Sequence, residues 1–185
     1  MIRDYRSVRE VASAIANAGE MAMEAYHSAR VTDEPHITDR LMQAIEMTVN
    51  GTDPVPGYRL LFEGAATPYR RYGGLIWQAH TLRSGSRSAA HEKRFGADVL
   101  GVLTINTPAY RATKGFLAQA KRAEPGVPLW KSRWDGLMGQ CERMLAVTPD
   151  SFVMVYSKKW GISFFSAQAV RSFSGRDIFI YTVCP

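Results

Sequence analysis

Apolar residues recur at helical spacing over residues 3–30, at Val8, Val11, Ala12, Ile15, Ala18, Ala22 and Tyr26, and predict one amphipathic helix. Met21 and Met23 widen its stripe, and Arg3, Arg6 and Arg9 make its first turns basic. Thr32, Asp33 and Pro35 break the pattern. Leu41, Ile45 and Val49 then give the buried stripe of a second helix over 37–50. Thr38 is its expected N-cap, Ile37 and Met42 its hydrophobic staple, and Asn50-Gly51 its stop. Residues 52–74 are rich in Pro and Gly and read as loop, with one short strand at 58–62.

From residue 75 the period changes to two. Trp77, Ala79 and Thr81 alternate against Ile76, Gln78 and His80, which predicts a strand over 75–82. Arg83 to Ser88 is a basic Ser/Gly loop. Two β-rich runs follow, at 97–105 and 115–121, with Asn106, Thr107 and Pro108 as turn residues between them. A helix over 130–146 buries Trp134, Leu137, Cys141, Met144 and Leu145. Strands are expected at 152–156, 162–165 and 177–183, with a short helix at 166–172. This order predicts an α/β fold: a mixed central sheet of four to six strands flanked by helices. Residues 1–30 pack on a core domain at 31–185. The chain stops just after its last apolar strand, at Cys184-Pro185, which suggests a domain cut from a longer protein with a C-terminal or regulatory domain missing.

At 185 residues the chain can bury a full core without staples. Its two cysteines, Cys141 and Cys184, match no metal or secreted-scaffold spacing, so a reducing cytoplasm is the expected setting. No apolar run reaches the roughly 20 residues of a membrane span, and no signal peptide is visible. The net charge of +6 is compatible with a polyanion partner. Its distribution is more telling. Between Arg59 and Arg133 the bases far outnumber the acids, which are Glu63, Glu92, Asp98 and Glu124.

That basic region contains the stretch with candidate chemistry, HEKRFGADVLGVLTINTPAYRATKGFLAQAKR, residues 91–122. An antiparallel hairpin built from its two runs sets Asp98, at the start of the first strand, opposite the end of the second. Gln119 and Lys121 are two apart and share a face. A carboxylate beside an amide oxygen is a hard-oxygen site suited to Mg²⁺. A lysine next to it can neutralise charge that develops on a phosphate.

Glu92-x5-Asp98 followed by Gln119-x-Lys121-Arg122 resembles the PD-(D/E)XK nuclease superfamily. The resemblance is closest to its Mrr-like branch, in which Gln replaces the acidic residue before x-Lys. It spans roughly Glu34 to Ala169, since the helix and strand that follow the motif are also in the family's order. It implies a restriction-endonuclease-like fold and Mg²⁺-dependent hydrolysis of phosphodiesters, with Mn²⁺ as a substitute. Asp98 would be the main metal ligand, Gln119 a second through its oxygen, and Lys121 the catalytic lysine. Glu92, or a helix carboxylate (Glu34 before Glu46), would complete the site. Arg122, Arg87, Arg83, Lys93 and Arg94 are the candidate nucleic-acid contacts, while His91 and Gln140 are weaker candidates. Double-stranded DNA is the expected substrate. A homodimer is the expected assembly, because cutting both strands at once takes two sites. The resemblance further suggests a restriction or phage-defence effector. Gln119 is neutral, so the site carries less negative charge than an acidic pair and leans harder on Glu92 or Glu34. The rival readings are a nucleic-acid-binding module of the same fold that does not cut, and an interaction protein with the first helix as its partner surface.

Overall fold

The computed structural model describes residues 5–50, 75–82, 93–107, 110–124 and 131–172. Two helices open the chain, α1 (Tyr5–His27) and α2 (Glu34–Asn50). Three strands follow, β1 (Leu75–Thr81), β2 (Val99–Thr107) and β3 (Tyr110–Arg122), then helix α3 (Lys131–Val147), strands β4 (Ser151–Ser157) and β5 (Gly161–Ser166), and the short helix α4 (Ala167–Ser172). The strands form one five-stranded mixed sheet in the order β1-β2-β3-β4-β5. β1, β2 and β3 are an antiparallel meander, β4 runs parallel to β3, and β5 is antiparallel to β4. The parallel pair needs a crossover, and α3 supplies it. The strands expected at 58–62 and 177–183 lie outside the described residues.

Helices cover both faces of the sheet. On one face Val99, Ala118, Ala120, Met154 and Tyr156 pack against Ala22 and Tyr26 of α1 and Ile37, Leu41 and Ile45 of α2. On the other, Leu117, Val153 and Val155 meet Leu137, Cys141 and Met144 of α3 and Val170 of α4. β4 is buried along almost its whole length, as a strand with helices on both sides must be. Trp77, Phe116 and Phe152 form an aromatic row on the α1/α2 side, with centroids 5.1 and 6.3 Å apart. Gly101 makes room for it: a Cβ there would lie 2.1 Å from the Phe116 ring.

Several boundaries differ from those expected. α2 begins at Glu34, and its N-cap is Asp33, whose carboxylate accepts the His36 N–H (3.0 Å). Pro35 fits the first turn, where its missing N–H has no intrahelical partner to lose. Thr38 therefore lies inside the helix, where its hydroxyl donates to the Glu34 carbonyl (2.8 Å). β3 starts at Tyr110, five residues before Gly115, because Thr104, Ile105 and Asn106 pair with Thr113, Ala112 and Arg111 and prolong the ladder. No helix of the described residues is long and apolar enough to cross a membrane.

Candidate functional site

Asp98 is locked where three strands meet. Its N–H donates to the Ala118 carbonyl (2.9 Å) of β3, and its own carbonyl accepts the Leu82 N–H (2.6 Å) just past β1. Val99 pairs with Ala118, so Asp98 faces the end of β3 as the hairpin register requires. Its Oδ2 accepts the Ala120 N–H (2.8 Å) and the Gln119 Nε2–H.

Gln119 is 1% exposed, and its Nε2 also donates to the Ala120 carbonyl (3.0 Å). Its Oε1 is buried with no hydrogen-bond partner among the described residues. The sequence places an amide oxygen beside the carboxylate, whereas here the amide nitrogen faces it. An ionised carboxylate only accepts, so the amide turns its donors towards Asp98 and leaves the oxygen over.

Lys121 lies two residues further on the same face. It lines a pocket of about 380 Å³ with Glu34 and Arg122. Arg133, Gly136, Gln140 and Arg143 of α3 close the other side. These four positions are spaced three, four and three residues apart, which puts them on one helix face. Gly136 contributes no side chain, and a Cβ there would meet nothing within 4 Å. Among the described residues, Lys121, Arg133 and Arg143 make no hydrogen bond or ion pair. Four cations thus face one carboxylate in this pocket, which favours an anionic occupant.

That carboxylate, Glu34, reaches the site because the α1–α2 connection is tied to the end of β3. Ala29 turns left-handed (φ 54°), and the Val31 N–H returns to the Ala25 carbonyl (3.1 Å). The Arg122 guanidinium donates to the Thr32 carbonyl (2.7 Å), and the Arg122 N–H donates to Glu34 Oε2 (2.8 Å). Burial pushes the Glu34 carboxyl above its ordinary value, against the pull of Lys121, the Arg122 N–H and the charges of Arg122 and Arg133. Tyr156 of β4 braces the same corner: its hydroxyl bonds to that of Thr38 (3.0 Å), which bonds in turn to the Glu34 carbonyl. Burial pushes the Tyr156 phenol strongly upward, and the charges of Glu34 and Asp98 add to the shift, so the phenol senses both carboxylates.

Gly96 sets the distance from Asp98 to α3. It has φ 69°, and a Cβ there would stand 2.7 Å from the Gln140 carbonyl oxygen and 2.9 Å from Gln140 Cα. Only glycine allows both that backbone conformation and that approach. The contact puts Gln140 beside the entry to β2.

The structure therefore joins Asp98 with Gln119, and Lys121 with Glu34 and Arg122. Glu46 lies towards the C-terminal end of α2, about 18 Å along the helix from Glu34 and away from the residues that line the pocket. Lys93 and Arg94 are exposed on a helical turn at 93–95 and do not line the pocket; the Arg94 guanidinium lies over Phe95, 5.3 Å from its centroid. Lys114 pairs with Asp150 (3.6 Å) at the far end of the sheet. Glu92, His91, Arg83 and Arg87 lie outside the described residues. Arg133 and Arg143 were not among the expected contacts, although their spacing with Gln140 was a legible signal of a polar stripe on α3. Among the described residues, no three His, Cys, Asp or Glu side chains are grouped to hold a metal ion.

No protein-family model matches the chain, and no curated protein matches it significantly.

Proposed function

We propose that the protein is a metal-dependent endonuclease of the restriction-endonuclease-like fold, resembling the PD-(D/E)XK superfamily. One observation carries this reading: Asp98 and Gln119 are bonded across β2 and β3, and Lys121, two residues on, lines a pocket with the cations Arg122, Arg133 and Arg143. The helix after the motif strand, and the strand after that helix, stand in the order the resemblance requires.

A hard divalent cation would need the Gln119 amide to turn its oxygen towards Asp98, and would then draw on the following donors. Asp98 and Glu34 supply carboxylates, and Gln119 Oε1 is a buried oxygen in need of a partner. A bound Mg²⁺ would polarise a phosphate oxygen and acidify a water. The remaining work falls to the chain. Lys121 neutralises charge on the phosphoryl oxygens in the transition state. Arg133 and Arg143 hold the flanking phosphates and fix the strand across the strand ends. The Ala120 N–H and Gln119 Nε2–H orient the Asp98 carboxylate. The substrate class is nucleic acid, and a restriction or defence role is the biological setting that the resemblance suggests.

The test incubates supercoiled plasmid and single-stranded circular DNA with the protein in Mg²⁺, Mn²⁺ or EDTA, alongside Asp98→Ala and Lys121→Ala. Metal-dependent cleavage lost in both variants is expected. Intact DNA in every lane, with salt-sensitive binding that survives Lys121→Ala, would replace the enzyme with a binding module of the same fold.

A further inference from the structure

The turn from β4 to β5, residues 157–161, carries Lys158, Lys159 and Trp160 at the same edge of the sheet as the site. β4 is parallel to β3, with Arg122 opposite Tyr156, so the turn leaves the sheet where the motif strand ends. Neighbouring strands are ~4.8 Å apart, which puts the β5 side of the turn about two strand spacings, ~10 Å, from β3.

Two features separate this turn from an ordinary surface hairpin. The first is that it is rigid. Glu124, two residues past Arg122, accepts the Ser157 hydroxyl (2.8 Å) and the Lys158 N–H (2.7 Å). Ser157 Oγ then accepts the N–H groups of Lys159 and Trp160 (3.1 Å each), and Gly161 closes the turn at φ 76°. The segment after the motif strand therefore holds the turn directly. The second is its chemistry. Trp160 is 43% exposed. The Lys159 ammonium lies 5.2 Å from its ring centroid, and that of Lys158 lies 5.1 Å from the Tyr26 ring. Neither lysine has an acidic partner among the described residues. A part-exposed indole with one ammonium over its face, and a second on the same turn held over Tyr26, stacks an unpaired base when the flexible Lys159 side chain swings off the ring to the phosphate.

We infer that this turn is a binding site for an unpaired nucleotide, so that the substrate crosses the site as a single strand or with unpaired bases beside the scissile bond. The inference rests on the nuclease reading for its choice of ligand and narrows the expected duplex to unpaired nucleic acid. The other side of Trp160 borders an apolar groove formed with Ile15 and Met23 of α1 and Phe164 of β5. Glu20 lines that groove and would repel phosphates, as would Glu24 where Arg30 does not neutralise it, so the strand is assigned to the face that Lys159 covers, with the lysine displaced onto the phosphate.

The test measures binding in EDTA, where no cutting occurs, by fluorescence anisotropy with labelled oligothymidylate, the same strand paired with oligoadenylate, and an abasic strand of equal length. Trp160→Ala should weaken binding of the single strand about 5- to 150-fold. Trp160→Phe should retain most of the affinity, and the abasic strand should not distinguish Trp160→Ala from the unaltered protein. Equal binding of oligothymidylate by Trp160→Ala and the unaltered protein would overturn the inference and leave the turn as the rim of an apolar surface for another protein. The two proposals fail separately. Metal-dependent cutting with no effect of Trp160→Ala removes this one alone, whereas Trp160-dependent binding without cutting in Mg²⁺ removes the enzyme and keeps the site.

Discussion

Replacing Gly96 with alanine tests how the site is held together. At φ 69° an L-residue is in the left-handed region, which costs about 1–2 kcal/mol. The added Cβ would also lie 2.7 Å from the Gln140 carbonyl oxygen, 2.9 Å from Gln140 Cα and 3.1 Å from Arg143 Cβ. Two of these atoms are helix backbone, so no rotamer change relieves the clash and α3 must move. Overpacking of this kind costs typically 1–3 kcal/mol, for a combined loss of about 2–5 kcal/mol. For a chain of this size each kcal/mol is worth roughly 2–4 °C, so the midpoint of thermal unfolding should fall by about 4–20 °C. Activity should fall further than stability at temperatures where the variant is still folded, because the shift pulls Gln140 and Arg143 away from Asp98 and Lys121. Gly96→Asn separates the two contributions. Asparagine tolerates left-handed φ but carries the same Cβ, so it should recover only the conformational part. Thermal melts beside plasmid nicking at 25 °C read both. A Gly96→Ala midpoint within a degree of the unaltered protein would refute the close approach of this turn to α3.

Three further outcomes follow from the same geometry. Gln119→Glu replaces the donors on Asp98 with a second buried carboxylate, so the variant should unfold at lower temperature in EDTA and gain more from millimolar Mg²⁺ than the unaltered protein does; equal Mg²⁺ shifts would count against a cation at this pair. Glu34 has a raised pKa, so the stability tied to its protonated form is full below its ordinary value and is lost as pH rises through the folded value. Glu34→Gln should therefore raise the urea midpoint at pH 8, with the advantage shrinking at pH 4, and on the proposed nuclease reading it should also abolish cleavage; a pH-independent stability difference would show that burial of the charge is not the cause. The Cys141 thiol is fully buried and pushed up to about 11, so in a Cys184→Ser protein a disulfide reagent at pH 8 should modify it only on unfolding, at a rate that tracks denaturant; rapid modification of the folded protein would place Cys141 at the surface.

Sequence and structure divide the determination of this protein along a physical line. Period was legible, because burial selects side chains locally: the stripe at Leu41, Ile45 and Val49 and the alternation at Trp77 and Ala79 each predicted their element. The juxtaposition of Asp98 with Gln119 was legible too, since an antiparallel hairpin with a short connection fixes its own register. The start of α2 was misplaced because Pro35 reads as a breaker in isolation, while Asp33 can cap a helix that carries it in the first turn. The direction of the Gln119 amide was decided by its neighbour, as the Asp98 carboxylate offers only lone pairs. What only the tertiary structure decided is long-range. Glu34 lies 88 residues from Arg122, and the two meet because the α1–α2 connection docks on the end of β3. The approach of Gly96 to Gln140, the cationic face that α3 turns to Lys121, and the tie from Glu124 to the turn bearing Trp160 all join elements by packing across the sheet. No period or spacing along a single segment encodes a contact of that kind.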